Sequence, residues 1–185
     1  AVTAVALMRR ALSEAAHHGR ERMAFGRPLV EHPLFAQQVA FVAARHRAAL
    51  HLVFDAVGAL DRADNGDERA ARAARLLTAA AKYHTGTLSV WGVSQCLEAL
   101  GGNGYIEDWP LARILRDAQV LPIWEGTSNI QLLDMHRSLH RDRSHEPVLD
   151  ELESVAERAP EAPLRAVIQR ELAVVRQGLV AAADA

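Results

Sequence analysis

Apolar residues recur along this chain at helical spacing for most of its length. Over residues 1–24, Val5, Met8, Leu12, Ala15 and Ala16 share one face at i, i+3, i+4 intervals, which predicts a first helix. The stretch AFGRPLVEHP (residues 24–33) breaks the rhythm with one Gly and two Pro and predicts a loop. A long helix is then expected from about Leu34 to Ala63, with Phe35, Val39, Val42, Leu50, Val53, Val57 and Leu60 keeping a near-helical repeat. The DNGD segment at 64–67 contains Asn65-Gly66 and predicts a turn. A third helix is expected from about Glu68 to Ala99, with Leu77, Ala81, His84, Leu88 and Trp91 on one stripe.

The second half is more broken. GGNGYIEDWP (101–110) reads as a glycine-rich loop, and a short helix is expected over Leu111–Gln119. Another helix is expected over Ser128–Leu139, with Thr127 placed to cap it. HRDRSHEP (140–147) reads as a charged linker, and 148–182 as two amphipathic helices broken at APEAP (159–163). Two helices of this length joined by a tight turn should lie antiparallel. With the first helix and the 128–139 helix they predict an all-α, up-down four-helix bundle over 1–139. Residues 140–185 then form a charged linker and helical C-terminal extension. Composition agrees: half the residues are hydrophobic, only 5% are aromatic, and β-branched residues are sparse.

The 185 residues suffice for one compact domain and a tail. A formal net charge of −2 gives no global case for nucleic acid or an anionic membrane. The single cysteine, Cys96, rules out an internal disulfide, and a reducing, cytoplasmic setting is the default expectation. No apolar run reaches the roughly 18 residues that a membrane-spanning helix needs. The chain opens on Ala1 inside a helical pattern, which reads as part of something longer.

Several residues invite chemistry. Glu125 lies between Trp124 and Gly126, just ahead of a helix start. Leu121, Ile123 and Trp124 could desolvate it and make it a base, whereas the helix dipole would stabilise the anion. On spacing alone it reads as an acid placed where that dipole favours it. Arg22 could hold a phosphate bidentately, or be a surface cation at a helix end. GGNGY could bring backbone close to a ligand, or be a helix C-cap and turn. Asn129 is a poor helix-interior residue, which mildly favours a ligand role. Of the nine histidines, none pairs with another ligand at a convincing metal spacing. His136 and His140 stand four apart without a third ligand, so no metal is expected. Cys96 reads as a small buried hydrophobe.

Three segments, RMAFGRPL (22–29), ALGGNGYIEDWPLARILRDA (99–118) and IWEGTSNIQ (123–131), occur in this order with two long helices between the first and second. Together they resemble the C-terminal helical domain of the acyl-CoA dehydrogenases over residues 1–139. The resemblance implies an FAD flavoprotein of fatty acid metabolism that removes hydrogens from the α and β carbons of an acyl-CoA thioester. It implies Glu125 as the catalytic base. It also implies Arg22 and Phe25, with Gly101 and Gly102, at the flavin of a neighbouring subunit, and Thr127 and Asn129 at the flavin of the same subunit. Ala24 replaces a hydroxyl or amide found in many members, and Glu98 stands where Gln often serves. The implied partners are an acyl-CoA, a homo-oligomer (dimer or tetramer) and an acceptor such as an electron-transfer flavoprotein. The family's other two domains, which supply most flavin and CoA contacts, are not in this chain, so the chain alone is expected to be inactive.

Within the family, Pro33 in EHPLFAQ, Trp124 in IWEGT and the extension after 140 resemble the alkylation-response flavoproteins, which associate with DNA. That is the alternative reading. MHRSLHRDRSH (135–145) is locally basic, but Asp134, Asp142 and Glu146 are expected to cancel much of its charge.

Overall fold

The computed structural model describes residues 1–184. The chain is all-α in architecture, as the periodicity predicts. Helix α1 spans Val2–Glu21, α2 Pro33–Asp64 and α3 Glu68–Ala99. They are followed by the single-turn α4 (Gly102–Tyr105), α5 (Pro110–Val120), α6 (Ser128–Asp142), α7 (His145–Glu157) and α8 (Ala162–Asp184). The expected loop at 24–33 holds more order than its Gly and Pro suggest. Strands β1 (Met23–Ala24) and β2 (Arg27–Pro28) pair antiparallel, and a 3-10 turn covers Leu29–Glu31.

The α2–α3 hairpin is antiparallel. The Gln38 side chain donates to the Gln95 carbonyl, Phe41 meets Trp91 edge-on, and Ala59 packs with Ala73 and Ala74. Partner numbers on α3 thus fall as those on α2 rise. The large apolar residues do not make most of this seam. Val57 and Leu60 are exposed, as is His84, contrary to the predicted stripes. Alanines are buried instead: Ala49, Ala56 and Ala59 on α2, and Ala70, Ala73, Ala74, Ala79 and Ala81 on α3. Alanine costs no side-chain entropy in a helix, and its small volume lets backbones approach closely.

The chain divides into two compact units, residues 1–54 with 81–128, and 55–80 with 129–185. In the first, Met8, Leu12, Val42, Val93, Cys96, Leu111 and Ile114 form the core. The Met8 side chain lies directly over Gly92 of α3, where a Cβ would stand 2.8 Å from its methyl. Gly19 similarly leaves room for the Phe35 ring. Burial pushes the Cys96 thiol up to about 12, so it packs as a hydrophobe, as expected.

In the second unit, Leu76, Leu139 and Ala183 are buried together with Met135, Val148 and Leu179 around them. Arg69 pairs with Asp150, Arg72 with Glu146 and Arg75 with Asp134. The predicted charged linker at 140–147 is a tight corner between helices. Arg143 takes the left-handed conformation (φ 48°), and Ser144 and His145 are buried. The Ser144 hydroxyl donates to Ser138 Oγ at 2.9 Å.

Candidate functional site

Helix α1 ends at Arg22, whose N–H donates to the His18 carbonyl at 2.9 Å while its own backbone has turned extended. The chain then folds back at once. Leu29 N–H donates to the Arg22 carbonyl, and Phe25 and Gly26 make the turn with φ of 51° and 82°. Two successive left-handed residues suit a two-residue hairpin, but an aromatic pays a steric cost there. Phe25 is also 97% exposed, touching His32 edge-on. His32 Nε2 donates to the Ala24 carbonyl at 3.0 Å and braces the hairpin.

Arg22 faces a cleft of about 530 Å³, and the far wall is the end of α3 and the start of α4. His18, Phe35, Gln38, Gly101, Gly102 and Asn103 share its lining. Gly101 has φ 60° and ψ −137°, outside the range of residues with a side chain. Gly104 is buried against the Leu97 carbonyl, where no Cβ fits. Gly102 differs from both: its φ is not positive, and a Cβ there would meet nothing within 4 Å. The cleft is of mixed charge. Arg22 is exposed, Glu98 lies in the same wall, and Gln95 donates weakly to Glu98 at 3.4 Å. His18 is held below its usual pKa, first by burial and then by the Arg22 charge.

Glu125 sits on the segment joining α5 to α6. It is exposed, and its φ of 54° is followed by a φ of 98° at Gly126. Leu121 turns into the core, whereas Ile123 and Trp124 are 63% and 52% exposed. The expected apolar setting is therefore not closed around Glu125 by this chain. Thr127 is exposed just before α6, and Asn129 is exposed in its first turn.

Sequence reasoning passed over Lys82. From α3 its ammonium donates to the Leu121 carbonyl at 2.7 Å and the Gly126 carbonyl at 3.3 Å, either side of Glu125. A signal was present: the chain holds twenty arginines and this one lysine.

The structure thus brings Arg22, Gly101 and Gly102 into one cleft, sets Phe25 at an exposed hairpin tip, and puts Glu125 on a separate pinned loop. Residues 1–140 match the sequence profile of the acyl-CoA dehydrogenase C-terminal domain. The chain belongs to the acyl-CoA dehydrogenase family.

Among relatives of this family, AidB of Escherichia coli is 37% identical over 146 residues, covering 79% of this chain and 27% of that protein. Acyl-CoA dehydrogenase family member 11 of Caenorhabditis elegans is 37% identical over 139 residues, 74% of this chain and 22% of that protein. The chain therefore spans about a quarter of the length of the curated relatives it matches. The crystal structure of C. elegans ACDH-11 in complex with C11-CoA superposes with a TM-score of 0.75 at 34% identity, covering 84% of this chain and 26% of that one. The apo form of Bd2924 superposes at 0.78 and 32% identity over 98% of this chain and 36% of its own, so its likeness extends through α7 and α8.

Other chemistry is sparse. Among the described residues no group of three or more His, Cys, Asp or Glu could hold a metal ion, and no helix is long and apolar enough to cross a membrane. The acids expected to cancel the basic segment divide. On α6, Asp134 and Asp142 pair with Arg75 of α3, outside the segment. Glu146 of α7 pairs both with Arg72 and with Arg143 inside it.

Proposed function

We propose that the full-length protein is an FAD-dependent oxidoreductase acting on CH–CH groups, catalysing α,β-dehydrogenation of an acyl-CoA with Glu125 as base. The observation that carries this reading is the cleft in which an exposed arginine faces open glycine backbone. That donor set fits the phosphates of a dinucleotide cofactor: a guanidinium binds phosphate bidentately, and Gly101 and Gly102 leave backbone approachable. Phe25 adds an exposed aromatic held in a strained turn, an arrangement suited to packing on a ligand or a second subunit. Thr127 and Asn129, exposed beside the Glu125 loop, would serve the flavin of the same subunit.

Bound flavin supplies the hydride acceptor for the β carbon. Glu125 receives the α proton on its carboxylate, so the C–H electron pair is released toward the forming double bond. A thioester seated beside Trp124 would exclude water from that carboxylate and strengthen it as a base. The further partners in this reading are a homo-oligomer and an electron-transfer flavoprotein.

The test is anaerobic mixing of the flavin-loaded full-length protein with a panel of acyl-CoAs. Flavin absorbance should bleach with at least one of them. Glu125→Gln should retain flavin and lose the bleaching, whereas undiminished bleaching in that variant removes the base assignment.

One observation favours the DNA-associated alternative. Arg137 and Arg141 are exposed on α6, and among the described residues no acid lies within ion-pair distance of either. In that case no acyl-CoA bleaches the flavin, and duplex DNA binds in a salt-sensitive manner that Arg137→Ala with Arg141→Ala weakens.

A further inference from the structure

We infer that Lys82 is a positioning residue for Glu125: its ammonium clamps the loop that carries the base onto α3. This rests on the reading of Glu125 as the base. The loop needs holding. Glu125 and Gly126 both take positive φ, a conformation that persists in a residue with a side chain only when its surroundings impose it. Two features of α3, one turn apart, impose it. Lys82 donates to the Leu121 and Gly126 carbonyls, which bracket the strained pair. At Gly86 the backbone of Leu121 and Pro122 lies directly against the helix, within van der Waals reach of a Cβ placed there (3.5 Å to Pro122). Leu121 is buried on the same side and anchors the near end. The exposed side chains of Ile123, Trp124 and Glu125 then project from a backbone fixed from beneath.

Residue choice supports a specific geometric role. Every other cation of the chain is an arginine, twenty in all. Arginine presents a planar fork suited to carboxylates and phosphates. Lysine presents a compact tetrahedral donor on a flexible stem, able to reach two carbonyls that converge from different directions. Among the described residues, arginine makes the surface ion pairs, and lysine stands where the acceptors are two backbone carbonyls.

The experiment uses the flavin-loaded full-length protein and its Lys82→Met, Lys82→Arg and Glu125→Gln variants. Amide hydrogen exchange reads the clamp without reference to catalysis. Peptides covering 121–128 should exchange at least tenfold faster in both Lys82 variants, with α1 and α5 unchanged. Native protection of the loop in Lys82→Met overturns the clamp, and native protection in Lys82→Arg overturns its requirement for lysine. Should Lys82→Met not fold, Lys82→Gln takes its place, and native protection of the loop in that variant overturns the clamp. Exchange of the α-protons of 3-thiaoctanoyl-CoA in D2O reads the base, because sulfur at the β position blocks hydride loss. Wild type should exchange them, Glu125→Gln should not, and the Lys82 variants should be slowed at least tenfold with unchanged affinity for the thioester. Full exchange in Glu125→Gln, or none in wild type, removes the base reading while the amide result stands. A silent Glu125→Gln beside a Lys82→Met that has a loosened loop yet exchanges at the wild-type rate overturns the positioning role.

Discussion

Three glycines within four residues serve three different ends, and Gly102 is the informative one. Gly101 is required by its backbone angles and Gly104 by the Leu97 carbonyl beside it. Neither constraint applies at Gly102. Gly104→Ala should therefore destabilise the protein by about 1–3 kcal/mol, the usual range for overpacking, and toward its upper end because backbone cannot move aside. Gly102→Val should leave the thermal midpoint nearly unchanged while flavin content falls several-fold. Equal flavin content in wild type and Gly102→Val would mean that no ligand approaches there. Arg22→Ala should lower flavin content without loss of fold, since the side chain is exposed and its structural contacts are made by backbone. These positions were visible in the motif RMAFGRPL and in GGNGY. Which glycine answers to the fold and which to a ligand was not, because that depends on what a Cβ would meet.

At the scale of elements, the corner between α6 and α7 shows how polar sequence can be buried. Ser138, Ser144 and His145 all lie inside, and Ser138 Oγ both donates to the Met135 carbonyl and accepts from Ser144. Ser138→Ala would leave the Ser144 hydroxyl buried without that acceptor, at a cost of about 1–3 kcal/mol in a denaturant titration. Arg75→Ala breaks two ion pairs, to Asp134 and Asp142, yet should change stability by less than about 1 kcal/mol because all three groups are substantially exposed. A larger loss for Arg75 than for Ser138 would reverse this ranking. The segment reads as a linker because its composition is charged. Its arginines do reach solvent, but the serines between them close a hydrogen-bonded turn that hydropathy does not register.

For the whole molecule, three buried histidines contribute to the response to mild acid. His18, His46 and His145 are each held below the usual imidazole range, chiefly by burial. His46 Nε2 donates to the Val5 carbonyl at 3.1 Å, tying α2 to α1. Around His145 the charges of Arg143, Glu146 and Asp184 partly offset one another. With folded values below the unfolded value of about 6.5, the unfolded chain binds more protons in that window. Stability is then complete above about pH 6.5 and declines as the pH falls through the depressed folded values. Thermal midpoints should drop on acidification from pH 7 to 5.5, and His46→Gln, which keeps a donor for Val5, should flatten that slope. A midpoint that rises on acidification would contradict it. Exposed Met23 and Phe25 at the hairpin tip, 57% and 97% accessible, are also expected to drive self-association. Sedimentation velocity should show this as a concentration-dependent shift that Phe25→Ser reduces.

By itself the sequence determined the helical architecture, the long antiparallel hairpin and the family. Those follow from periodicity, turn chemistry and ordered motifs, which are local properties written along the chain. Tertiary structure alone decided which face of α2 and α3 is buried, because an alanine seam competes with larger side chains only when two backbones actually meet. It also decided that Arg22 and Gly102 share a cleft. And it brought Lys82 beneath Glu125, since a hydrogen bond between residues so far apart in sequence exists only after the helices between them have packed.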